Sequence, residues 1–177
     1  MRWFDKLPAF GGAGTMTVTL AYLTKKVHIK NNILIVGVGN TLMGDDGIGA
    51  YVAASLDTLP LPGVQTVTVQ QMTSDLLDDM LKADHTIIVD AAVEAMPVQF
   101  YKVEETAPAG ASYSHYTSAI QLLKMAALVY ERNLSVYICA VGAHDLTLGG
   151  NLSPDGKKNA DQAVSTILGW INGHENQ

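Results

Sequence analysis

The hydrophobic pattern alternates between two periods along the chain. Ile33-Leu34-Ile35-Val36 is a continuous apolar run of the kind found in parallel strands covered on both faces, and it ends in glycine. The loop Gly37-Val38-Gly39-Asn40 through Gly44-Asp45-Asp46-Gly47 follows, after which Ile48, Tyr51, Val52 and Leu56 recur at helical spacing. Val64–Val69 alternates with polar residues as a second strand. Thr73 or Ser74 is placed to cap a helix carrying Leu76, Leu77 and Met80, and Thr86–Val89 is a third strand. Val98–Val103 predicts another strand, and the Ala, Gly, Pro and Ser content of Glu104–Ser114 predicts a mobile loop. A helix with Ile120, Leu123, Ala127 and Tyr130 on its apolar side comes next, and then a buried strand over Ser135–Val141. Ser153-Pro154 supplies an N-cap and a first helical residue for a last helix, whose Ala160, Ala163, Val164, Ile167, Leu168 and Ile171 form one stripe and whose end suits Gly173.

Strands and helices in this alternation predict an α/β fold of three layers: a mainly parallel, twisted sheet with helices on both faces. In such folds the ligand crevice lies beyond the carboxyl ends of the strands, so chemistry is to be sought there. The chain's 177 residues suit one domain, and a composition of 48% hydrophobic and 16% charged residues excludes a disordered or fibrous chain. Residues 1–31, with the flexible Gly11-Gly12-Ala13-Gly14, form a peripheral N-terminal extension, leaving 32–177 as the domain.

Charge narrows the partners. Seventeen acidic against eleven basic side chains give a net charge of -6, which offers nucleic acid or an anionic membrane no general attraction. No apolar run reaches the ~20 residues that span a bilayer. A single cysteine, Cys139, fits a reducing compartment, and the expectation is a cytoplasmic protein. Cys139 lies inside an apolar strand and reads as a small core residue in preference to a nucleophile.

Gly37-Val38-Gly39 after a buried strand suggests a dinucleotide loop, but Leu42 stands where the third glycine belongs. Asp45 and Asp46 would also repel a pyrophosphate at that helix start. The two aspartates can serve as helix caps, or one can cap while the other faces the crevice as a hard oxygen ligand or general base. Asp90 closes the run Thr86–Val89 and so meets the same edge, where it either binds backbone amides of Asp90-Ala91-Ala92 or contributes to a site. Asp75, Asp78 and Asp79 fall on a solvated helix face. Of the histidines, His115 at the start of a helix and His144 after the strand Ser135–Val141 are candidates for a ligand or proton carrier, ahead of His28, His85 and His174.

The stretch from Gly37 to Gly49, GVGNTLMGDDGIG, resembles the opening signature of the nickel-iron hydrogenase maturation endopeptidases. The resemblance continues through Ile87-Ile88-Val89-Asp90-Ala91, Ser114-His115 and Leu152-Ser153-Pro154, over about residues 32 to 172. It implies a metal-binding site of Asp46, Asp90 and His115, with Asp46 in place of the glutamate of many members. It also implies an enzyme, a metal-dependent peptide hydrolase that removes a C-terminal peptide from the hydrogenase large-subunit precursor after nickel insertion. The nickel is supplied by that substrate. Two other readings stay open: a nickel-dependent checking module that docks without hydrolysis, and a nucleotide-binding protein.

Overall fold

The computed structural model describes residues 31–93, 96–104 and 113–174, with side chains described for all of these except 113–116. The expected N-terminal extension, apart from residue 31, and the expected mobile loop, apart from residue 104 and residues 113 and 114 at the start of a helix, lie outside the described residues. Five strands form one sheet: β1 (Ile33–Val38), β2 (Val64–Val69), β3 (His85–Val93), β4 (Val98–Lys102) and β5 (Val136–Ala143). Their order is β2-β1-β3-β5-β4, with every pairing parallel except that of β4 with β5.

Parallel strands covered on both sides must be apolar throughout, and β1 is buried at all six positions. One face, carrying Ile33, Ile35, Ile87, Val89, Cys139 and Val141, packs against the helices α1 (Ile48–Asp57) and α4 (Pro154–His174). The other, carrying Leu34, Val36, Ile88, Val136 and Ile138, packs against the short α2 (Leu77–Met80) and α3 (Tyr113–Tyr130). The three expected layers are therefore present.

Three local features differ from the sequence pattern. The helix expected from Thr73 or Ser74 is split into a 3-10 turn, Ser74–Leu76, and the single turn of α2, and neither its cap nor α2's is made by a side chain. In α3 the buried seam is Ala119, Leu122 and Ala126, while Ala127 and Tyr130 are exposed and Ile120 and Leu123 lie at its margin. Small alanines let the helix axis approach the sheet, so the seam follows them instead of the larger side chains. Finally, β3 continues past Val89 to Val93, because β5 pairs with it as far as Ala143.

The amino edge of the sheet is closed by rings. His85 packs edge-on against Trp170 and His174, with centroids 5.4 and 5.9 Å away, and Tyr137 meets Trp170 edge-on as well. Burial, and then the neighbouring His174, hold the His85 imidazole below its ordinary pKa. This histidine is a packing residue at the edge opposite the crevice.

Candidate active site

The sheet order places a topological switch between β1 and β3: from β1 the chain turns outward to β2, and β3 returns on β1's other side. Crevices in open α/β sheets form at such points. Pairing of β3 with β1 stops at Val89 opposite Gly37, so Asp90, level with Val38 at the end of β1, is the first β3 residue beyond that pairing. On its other side it still pairs with Ala140 of β5. Asp90 is thus interior to the sheet on one flank and stands at a strand end on the other, 3% exposed. By strand alternation it shares the face of Ile88 and Ala92, which α3 covers.

β1 leads directly into the loop of the aspartates. Gly39 takes φ +131°, and a side chain there would run into the Asp46 carbonyl. The Asn40 N–H donates to Asp46 Oδ2 at 2.7 Å, and Asn40 Oδ1 accepts the Leu42 N–H at 3.0 Å, which curls the loop on itself. Residues Gly44–Gly47 form a 3-10 turn that opens into α1. Gly49 in the first turn of α1 sits so close to the sheet that a Cβ would lie 2.5 Å from the Val89 carbonyl oxygen and collide with that of Val38. Absence of side chains at Gly37 and Gly49 is what allows the Asp46 loop to lie over the ends of β1 and β3.

The adjacent aspartates have separate tasks. Asp45 is fully buried and does not cap the turn that contains it. Its Oδ2 accepts the N–H groups of His144 at 2.9 Å and Asp145 at 3.0 Å, and the Ser153 hydroxyl at 2.8 Å; Oδ1 accepts the Ser153 N–H at 2.7 Å. Burial alone would push this carboxyl upward, but the hydrogen bonds from His144, Asp145 and Ser153 outweigh it and hold its pKa below the ordinary value. Ser153 in turn caps α4 by accepting the Gly156 N–H at 2.9 Å, as its position before Pro154 predicts. Asp46 is left half-buried, with one carboxylate oxygen on Asn40.

Asp45 is the residue whose role the sequence concealed. The available signal was Gly156, at the helix position where a capping glutamate is common. A Cβ at Gly156 would occupy the space of the Asp45 carboxylate, so the glycine marks that close approach.

His115 falls in the first turn of α3. The far end of α3 is joined to the start of β5 by only residues 131–135, and Ala119, Leu122 and Ala126 lay the helix along the sheet. Eighteen residues rise about 27 Å, so α3 returns the chain to the amino edge from the carboxyl edge, where its first turn begins. The His115 side chain lies outside those described. Among the described residues no three His, Cys, Asp or Glu side chains gather as a metal cage, and Asp46 and Asp90 are the two expected ligands that belong to them. His144 follows β5 with an exposed side chain, and its main chain serves Asp45. Cys139 is fully buried in β5, where burial pushes its thiol up to about 12.

The geometry also bears on the dinucleotide reading. The loop N–H of Asn40 is already taken by the Asp46 carboxylate, and Asp45 fills the space beside α4's first turn. Two carboxylates occupy the neighbourhood in which a phosphate would need free amides. Among the described residues no helix is long and apolar enough to cross a membrane.

No family model matches the chain. In sequence it is similar to the putative hydrogenase maturation protease MJ0253 of Methanocaldococcus jannaschii, 28% identical over 151 residues that cover 80% of this chain and 97% of the relative. Among solved structures it is similar to the [NiFe] hydrogenase maturation protease HybD of Thermococcus kodakarensis, with a TM-score of 0.64 and 23% identity over 79% of this chain and 99% of that one. The hydrogenase maturating endopeptidase HybD of E. coli superposes with a TM-score of 0.65 and 24% identity over 81% of this chain and 93% of that one. This chain is thus similar in sequence to a putative hydrogenase maturation protease and shares its fold with two [NiFe] hydrogenase maturation proteases.

Proposed function

We propose that the protein is an endopeptidase that removes a C-terminal peptide from the nickel-loaded precursor of a nickel-iron hydrogenase large subunit. Residues 32–177 form the processing domain, 1–31 are peripheral to it, and the protein acts in the cytoplasm. The observation that supports this reading is the register of β3, which sets Asp90 level with the end of β1, in a strand that contacts the turn bearing Asp46. The relationship to the maturation proteases supplies the reaction class.

The chemistry follows from the donor set. Nickel held by cysteines of the substrate is a borderline cation, and two carboxylates with one imidazole can complete its coordination while holding a free ion weakly. Asp46, Asp90 and His115 are the residues proposed for that contact. In hydrolysis a water oxygen adds to the scissile carbonyl carbon, the C–N bond breaks, and the leaving amine gains a proton. Asp46 or Asp90 is the base that takes a proton from the water, and the substrate's nickel polarises the carbonyl or the water.

The test is the mass of the precursor before and after incubation, with and without nickel. Loss of the tail only from the nickel-loaded form is expected. Equal cleavage of both forms, or of neither, overturns the proposal, and stable nickel-dependent binding without tail loss identifies a checking module.

A further inference from the structure

Among the described residues, the large apolar side chains that remain exposed fall into two groups. Met125, Leu128, Val129 and Tyr130 belong to the last turns of α3, at the amino edge. The other five are at the carboxyl edge. Leu42 (63% exposed) lies between β1 and Asp46; Val93 and Met96 follow Asp90; Leu146 and Leu148 (79%) follow β5. Among the described residues, the segments that follow β1, β3 and β5 thus each carry exposed apolar side chains at that edge.

The leucines are not on loose loops. The Gly149 N–H donates to the Leu42 carbonyl at 3.1 Å, and the Asp45 N–H donates to the Asp145 carbonyl at 2.7 Å. The Asp45 carboxylate binds the same loop from below through His144 and Asp145. Backbone fixed in this way keeps Leu42, Leu146 and Leu148 from folding back onto the protein. Together they expose apolar surface on the order of a few hundred Å², the size at which a patch on a soluble protein commonly marks an interaction site.

We propose that this rim is the docking surface for the folded precursor polypeptide, which lays apolar side chains on Leu42, Leu146 and Leu148 while its tail enters the crevice. The inference rests on the processing function above. It commits to the precursor because Leu42 shares a loop with Asp46, and the loop of Leu146 and Leu148 is hydrogen-bonded to that loop, so a chain presented to Asp46 passes over these side chains, and a second copy of this chain seated there would cover Asp46.

The test compares the wild type with the Leu42→Ser, Leu146→Ser, Leu148→Ser triple variant in KM and kcat for nickel-loaded precursor, in direct binding of that precursor, and in thermal unfolding. KM and the dissociation constant should rise about tenfold or more, with kcat within about twofold, the pattern of lost uniform binding. Unchanged KM and unchanged binding overturn the docking surface. If the wild type binds the precursor but never cleaves it, the processing reading fails, while loss of that binding in the variant still upholds the rim. A wild-type dimer that the triple variant dissolves, with precursor binding unaltered, assigns the rim to self-association and overturns the proposal. Should the triple variant not fold, Leu148→Ser alone, at the most exposed of the three positions, is held to the same criteria at about threefold.

Discussion

Asp45 and Ser153, 108 residues apart in sequence, are joined twice, by the Ser153 N–H on one carboxylate oxygen and the Ser153 hydroxyl on the other. Because His144 and Asp145 share the same carboxylate, its removal strands three backbone donors in a buried site. Asp45→Ala should lose stability on the order of 3 kcal/mol or more in urea unfolding at neutral pH. A loss below about 1 kcal/mol would show that water replaces the carboxylate without cost.

The same group predicts an acid limb. Its pKa is depressed in the folded protein relative to the unfolded value of about 3.9, so its stabilisation is complete well above that value. It is lost as pH falls below about 4 and through the lower folded value. Unfolding free energies measured between pH 7 and 3 should therefore fall at the acid end in the wild type and fall less in Asp45→Asn. Equal slopes in the two proteins would refute the assignment.

Replacing Asp46, Asp90 or His115 by alanine should each reduce precursor processing by at least about 100-fold. Among the described residues Asp46→Ala gives up only the bond to the Asn40 N–H, so its stability should fall by about 1 kcal/mol, as read by chemical denaturation. Full processing by Asp90→Ala would remove the proposed nickel contact. Full processing by His115→Ala together with inactivity of His144→Ala would transfer the imidazole's role to His144.

Much of this was readable in the sequence, for reasons that differ by residue. The runs in β1, β3 and β5 were legible because burial on both faces demands continuous apolar residues, and the end of such a run located Asp90. Ser153 and Pro154 announced α4 because capping is a local matter. The division of labour between Asp45 and Asp46 was not legible, since it depends on amides about 100 residues away that no local pattern reports. Nor was the seam of α3, where close packing favoured alanine over the larger residues that dominate a periodicity count.

Gly49→Ala should destabilise the protein by roughly 3 kcal/mol and impair processing, because its new methyl group meets backbone carbonyls of Val38 and Val89 that cannot rotate away. Gly173→Ala, with open space around it, is the control and should be neutral or slightly stabilising. Calorimetry of the two variants checks the contrast; equal melting temperatures would mean that α1 is free to lift from the sheet.

Cys139 should be inert in the native state. With its thiol pushed up to about 12 inside the core, it should resist alkylating reagents at pH 8 until the protein is denatured, and such reagents should leave processing unaffected. Rapid native labelling accompanied by loss of processing would point to a thiol peptidase instead.

The tie between the first loop and the last helix has a temporal meaning. A growing chain can pair β1, β2 and β3 early, yet the anchor of the lip bearing Asp46, begun by the amides of His144 and Asp145, is complete only when residue 153 has been made and α4 has docked. Hydrogen exchange at the amides of His144, Asp145 and Ser153 should then report a single shared opening, and independent rates at the three would deny it. The lip bearing Asp46 should therefore be the last part of the molecule to set.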